Sequence, residues 1–163
     1  MYRNGELVNT VLVDRSDSTA KAQIIVYGRL VKEVDRDDRI ARDVPYGGGS
    51  TGGYLVFQSG YSMTYYDKII CNATAYYSGG EHGAAWTTAT GHPVGLGIIA
   101  ADPKVFPYHS RMFIQSPGGG LVYGIGQVED TGGMTGNVID VWYPTYEDCV
   151  VWGRRNVVCW LLD

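Results

Sequence analysis

Three aspartates lie between Gly97 and Trp142 in contexts that put carboxyl groups beside apolar chain. Asp102 follows the run GIIAA and precedes Pro103. Asp130 closes GIGQVE and opens the turn DTGG, and Asp140 sits inside NVIDVWY. Removing an ionised carboxylate from water costs several kcal/mol unless it is paired or protonated. Three such groups in one region therefore predict a single acidic site rather than scattered surface charge. A desolvated carboxyl holds its proton to higher pH, which suits it to give and take protons near neutrality. Asp140 is the strongest candidate, because a strand interior offers it no turn to make, and its pKa is expected above the ~3.9 of a free aspartate. Asp102 before a proline and Asp130 before a glycine turn also read as turn formers that hydrogen-bond local backbone N–H groups.

The elements that must position these groups are short and closely spaced. KIICNATAYY, GLGIIAAD, RMFIQSP, LVYGIGQVED, VIDVWY and NVVCWLL read as six strands between Lys68 and Leu162. One helix is predicted over 145–153, where Thr145 and Asp148 have capping-box spacing, Pro144 precedes the cap and Gly153 fits the C-terminus. Six strands and one short helix predict an all-β fold, a small closed β-barrel. Upstream, YLVFQSGYSMTYY reads as a hairpin turning at Ser59-Gly60, so the main domain is placed at 54–163. Residues 29–53 are charged and then glycine-rich, and read as a solvated linker. In residues 1–28, LVNTVLV and AQIIVYG read as two strands, too few to stand alone in water.

Composition narrows the function classes. The 163 residues suit one ordinary domain, and the 23 glycines, with no period of three, fit tight β-turns rather than collagen. The net charge is −4 and the 13 Lys and Arg form no basic stripe, so nucleic acid is not expected as a partner. Cys71, Cys149 and Cys159 form no CxxC or Cys/His pattern and are expected as small apolar residues, with a Cys149–Cys159 bridge left open. His82, His92 and His109 share no ligand spacing and read as surface or locally satisfied residues. No metal and no cofactor are expected. No run of ~18 apolar residues is present to span a membrane. MYRNGELVNT lacks the pattern of an export signal, so a soluble chain is expected, with any export signal upstream.

ATAYYSGG, TGHPVGLGIIAADPKVFPYHSRMFI and GIGQVEDTGGMTGNVIDVWYPTYEDCVVWGRRNVVCWLL together resemble the 3D domain, named for three aspartates. That domain occurs in bacterial cell-wall proteins, including resuscitation and stationary-phase survival factors, and is related to the catalytic core of MltA-type lytic transglycosylases. The resemblance covers roughly residues 70–162 and implies a double-psi β-barrel. It implies peptidoglycan as substrate, cleaved between N-acetylmuramic acid and N-acetylglucosamine to a 1,6-anhydro product. Asp140 would be the general acid/base, with Asp102 and Asp130 raising its pKa as like charges and orienting substrate. Thr74, Tyr76, Thr90, Gly91, Gly132 and Gly133 match positions that line the groove. Trp86, Tyr77 and Trp142 are candidate sugar-stacking rings, although strand aromatics more often serve the core. The loop TGGMTGNVI is about one residue shorter than is usual in the family, GHPVG replaces a plainer Thr-Gly turn, and His82 lies in an insert-like GGEHGAAW. NGELVNTVLV with IIVYG resembles the last part of a G5 domain, whose open strand edges would favour a homodimer. A secreted or wall-associated location follows. A silent glycan-binding module and a two-carboxylate hydrolase are the alternatives.

Overall fold

The computed structural model describes residues 38–79, 81 and 83–162, together with the backbone of two short strands near the N-terminus. The chain divides into two units, Met1–Glu33 and Val34–Asp163. In the first, β1 (Tyr2–Arg3) pairs antiparallel with β2 (Glu6–Leu7). The rest of the G5-like segment, the homodimer expected through it, and His82 lie outside the described residues.

The second unit contains β3 (Ile40–Pro45), β4 (Gly53–Phe57), β5 (Ser62–Tyr76), β6 (Ile98–Ala101), β7 (Arg111–Gln115), β8 (Val122–Asp130), β9 (Val138–Trp142) and β10 (Arg155–Leu162). Its one α-helix, α1, spans Tyr146–Trp152. The strand order β10-β7-β8-β6-β9-β5 closes on itself through β10–β5 pairing, giving a six-stranded barrel. Two neighbouring pairs are parallel, β5 with β9 and β6 with β8, and the others are antiparallel. This is the all-β double-psi barrel with one short helix that the sequence predicts.

Alternation along the strands builds the interior. Cys71 and Ala73 of β5, Ile99 and Ala101 of β6, Val128 of β8, Ile139 and Val141 of β9, and Val157, Cys159 and Leu161 of β10 meet in one core. Burial of each larger side chain contributes roughly 1.5–3 kcal/mol. The helix begins where expected: Thr145 Oγ1 accepts from Asp148 N–H at 3.1 Å, and Gly153 ends it at φ 60°. Trp152 then packs against Tyr123 and Tyr143. All three cysteines are free and buried, so no Cys149–Cys159 bridge forms.

β5 is long because it serves three partners, β4, β9 and β10. Its first part pairs with β4, and its last part carries β9 into the barrel. β4 in turn pairs with β3, which falls within the 29–53 segment read from sequence as a linker. Asp43 there is used as a partner rather than left in solvent. Asp43 of β3 accepts from the Tyr65 hydroxyl at 2.6 Å and from Trp160 Nε1 at 3.0 Å, and pairs with Lys68 at 2.8 Å. Leu55, Phe57, Tyr65, Phe113, Trp160 and Leu162 form a second core under this hairpin. A local charge count cannot register such long-range partners, so 40–45 is a strand and not the linker expected from its composition.

Candidate active site

Asp140 lies in the middle of a row that runs across four strands. It pairs in register with Thr74 of β5 on one side and with Ala100 of β6 on the other. Ala100 also pairs with Asp130 of β8. Directly opposed residues in a ladder project from the same face. Since Ile99, Ala101, Ile139 and Val141 fill the barrel, the row Thr74–Asp140–Ala100–Asp130 lies on its outer face. With strands about 4.8 Å apart, the two aspartates are separated by roughly 10 Å of sheet, with only a methyl group between them.

This setting changes the acid. Burial pushes the Asp140 carboxyl up to about 6, the nearby Asp130 charge acts in the same direction, and the Thr74 hydrogen bond and Arg154 oppose them. Thr74 Oγ1 donates to Asp140 Oδ1 at 2.9 Å. The hydroxyl of Tyr76, two residues further along β5, is buried and has no hydrogen-bond partner among the described residues. Burial, with the charges of Asp130 and Asp140, holds that phenol well above its ordinary range, so it stays a neutral donor.

Asp130 reaches the row through an irregularity. Ile99 pairs with Val128, but the next residue, Ala100, pairs with Asp130, so Glu129 is an extra residue in β8. Such a bulge re-aims the side chains that follow it. Val128 points into the core, so strict alternation would send Asp130 inward; the bulge brings it out beside Asp140. Asp130 Oδ1 is held by the backbone N–H of Thr131 at 2.8 Å and of Ala89 at 3.3 Å.

Glu129 was not singled out from the sequence, yet it is only 3% exposed and gathers four side chains. Oε2 accepts from Thr90 Oγ1 and from His92 Nδ1 at 3.1 Å. Oε1 accepts from Gln127 Nε2 at 2.6 Å and from His109 Nδ1 at 2.8 Å. Burial works against its charge, but these bonds win and hold it down at about 2. A glutamate beside DTGG carries no sequence signal for this. The histidines come from separate loops, and only the fold brings them together.

Asp102 is placed differently from the other two aspartates. Its carboxylate accepts from Gly136 N at 2.9 Å and from Lys104 N at 3.0 Å, clamping the loop after β6 to the loop before β9. The Gly136 bond, then the Lys104 bond, lower its pKa. It is not among the charges that raise Asp140, contrary to the expectation that it adds like-charge pressure. Thr90 and Gly91 lie in the turn beside Glu129, Gly91 at φ 86°. Gly132 follows Asp130 in its loop, where an added Cβ would come within 3.2 Å of the Ala100 methyl, while Gly133 faces open space. Trp142 is 8% exposed and donates to Ser78 Oγ, which makes it a core residue rather than a sugar platform. Trp86 stays 61% exposed. Among the described residues no group of three or more His, Cys, Asp or Glu is placed to hold a metal ion.

Residues 97–163, which hold the DTGG turn and the strand aspartate Asp140, match the model of the 3D domain. This part of the chain is similar to the 3D domain. The chain is 34% identical over 95 residues to the cell wall-binding protein YocH of Bacillus subtilis (strain 168), covering 55% of this chain and 31% of YocH. It is 29% identical over 101 residues to the putative cell wall shaping protein YabE of the same organism, covering 59% and 23%. The chain thus spans less than a third of the length of either relative. Among solved structures, it aligns with MltA from E. coli at 18% identity and a TM-score of 0.42, over 51% of this chain and 29% of that one. No helix among the described residues is long and apolar enough to cross a membrane.

Proposed function

We propose that this protein is a peptidoglycan lytic transglycosylase that cleaves the β-1,4 bond between N-acetylmuramic acid and N-acetylglucosamine. The observation that carries the reading is Asp140, a partly buried strand carboxyl raised to about 6 with Asp130 in the same row. Near neutrality such a group exchanges its proton readily, as a general acid/base must. Protonated Asp140 gives its proton to the departing glycosidic oxygen. The muramic acid 6-hydroxyl then attacks its own C1, and the Asp140 carboxylate takes the hydroxyl proton, leaving a 1,6-anhydro sugar. Because the nucleophile belongs to the substrate, its effective concentration is high and no second carboxylate is needed to activate water. Thr74 orients Asp140, the buried Tyr76 hydroxyl lies on the same strand, and Thr90, Gly91, Gly132 and Gly133 are taken as the residues that line the glycan groove. A wall substrate places the protein outside the cytoplasmic membrane, secreted or wall-associated.

A second reading is a glycan-binding module without turnover, favoured by the name of YocH, a cell wall-binding protein. Incubating purified cell walls with wild type and Asp140→Asn, followed by mass spectrometry of soluble products, separates the readings. Anhydro-muropeptides from wild type alone support the transglycosylase. Reducing-end sugars indicate hydrolysis, with Asp130 and Asp140 as the two carboxyls. Retention on the wall without soluble product indicates the binding module.

A further inference from the structure

We propose that Glu129 is a positioning residue: it anchors the bulge that ends β8 and thereby sets Asp130 beside Asp140. The inference rests on the reading of Asp130 and Asp140 as one acidic site, but it does not require turnover. Three observations carry it. The register slip falls at Glu129 itself, and without it Asp130 would point toward the barrel interior. The Glu129 carboxylate is buried, and its two oxygens take donors from two sides of β8: Thr90 and His92 from the 88–92 turn, His109 from the turn before β7. Those turns also bind the bulged backbone, through Thr90 N to Glu129 O at 3.2 Å and His109 N to Val128 O at 2.8 Å.

His109 strengthens the case. It is the one non-glycine residue among those described with positive φ, at 70°. A side chain held in that region needs a compensating interaction, and such positions tend to cluster at functional sites. Here the compensation is the 2.8 Å bond to Glu129 Oε1. An ionised carboxylate only accepts, so both imidazoles must present Nδ1–H to it. A glutamine would offer one oxygen where four donors converge. The same 88–92 turn gives the Ala89 N–H to Asp130 Oδ1, so loosening Glu129 loosens Asp130 from both its backbone and its turn.

The test follows the Asp140 carboxyl by carbon-13 NMR titration of the full chain. The groups acting on Asp140 are Thr74, Arg154 and Asp130, and those facing Glu129 are Thr90, His92, His109 and Gln127. In Glu129→Gln the Asp140 midpoint is expected to fall, by roughly a few tenths of a pH unit or more, as the Asp130 charge moves away. Asp130→Asn is expected to lower it as well. In the double variant Glu129→Gln/Asp130→Asn, no further fall is expected, because the first residue acts through the second. An unchanged midpoint in Glu129→Gln, or shifts that add in the double variant, would overturn the proposal. Should Glu129→Gln not fold, His109→Gly keeps the positive φ and removes one donor; a smaller fall is then expected, and none would count against the idea. Loss of the transglycosylase reading would show separately, as an Asp140→Asn protein that still releases anhydro sugars.

Discussion

Asp130 and Asp140 sit on either side of one residue, Ala100, which pairs with Asp130 in β8 and with Asp140 in β9. The methyl group between them sets how closely the two carboxyls communicate. A Cβ added at Gly132 would come within 3.2 Å of that methyl group. Ala100→Val places a branched side chain in this space. It is expected to destabilise the fold by about 1–3 kcal/mol through overpacking and to reduce anhydro-sugar release more than tenfold. Urea unfolding and product release check the two effects, and a fully stable, fully active Ala100→Val would show that the spacing is not critical.

Asp140 also makes stability depend on pH. Its folded pKa is about 6 against 3.8 for the unperturbed group. A raised folded pKa means that its contribution is fully present below about pH 4 and is lost as pH rises through 6. Asp140→Asn removes that loss. The variant is expected to be more stable than wild type at pH 7.5, by on the order of 1–3 kcal/mol, and to match it near pH 4. Thermal unfolding at the two pH values measures this, and a variant less stable at pH 7.5 would contradict the burial argument.

Thr74 bonds the charged form of Asp140. Thr74→Val keeps the shape and removes the donor, so the Asp140 midpoint should rise above 6, while Thr74→Ser should leave it near the wild-type value. NMR titration of the carboxyl reads the difference directly, and a fall in Thr74→Val would mean that the hydroxyl does not favour the charged form.

Asp102 bridges two loops, and its carboxylate is satisfied by Gly136 and Lys104 backbone groups. Asp102→Ala is expected to lower Tm and to keep turnover within roughly tenfold of wild type, whereas Asp140→Asn should lose about 10²–10⁴-fold, the scale of general acid catalysis. Equal losses in both variants would return Asp102 to the reacting centre.

Trp86 is the exposed member of the four tryptophans, since Trp142, Trp152 and Trp160 are buried. Its ring lies over Gly79, where an added Cβ would meet the indole at 2.8 Å. Acrylamide quenching of intrinsic fluorescence therefore reports mainly on this ring. N-acetylglucosamine oligomers are expected to protect it, and Trp86→Ala to weaken their binding several-fold, about 1 kcal/mol. Unprotected Trp86 in a protein that retains the oligomers would leave the ring outside the glycan site.

Much of this was legible from residues alone. NVIDVWY announced a carboxyl within a strand, and Asp140 is there. Thr145, Asp148 and Gly153 marked the helix ends, and the spacing of short apolar runs announced the barrel. Each of these signals is local, a matter of side-chain period and end chemistry. Other features are not local. Asp102 and Asp130 read alike as turn aspartates, yet one clamps loops and the other joins the Asp140 row. Ile40–Pro45 looked like tether because its partners, Tyr65, Lys68 and Trp160, lie far along the chain.

The sequence by itself determined the barrel strands, the one helix, the closed all-β architecture and the apolar surroundings of Asp140, because strand period, turns and caps depend on neighbours in the chain. The tertiary structure decided which carboxyls meet. Strand register is set by pairing between distant segments, and a single extra residue at Glu129 reverses the face on which Asp130 emerges. No reading of alternation along β8 contains that slip. It exists only where Thr90, His92 and His109 converge on a buried carboxylate to hold it.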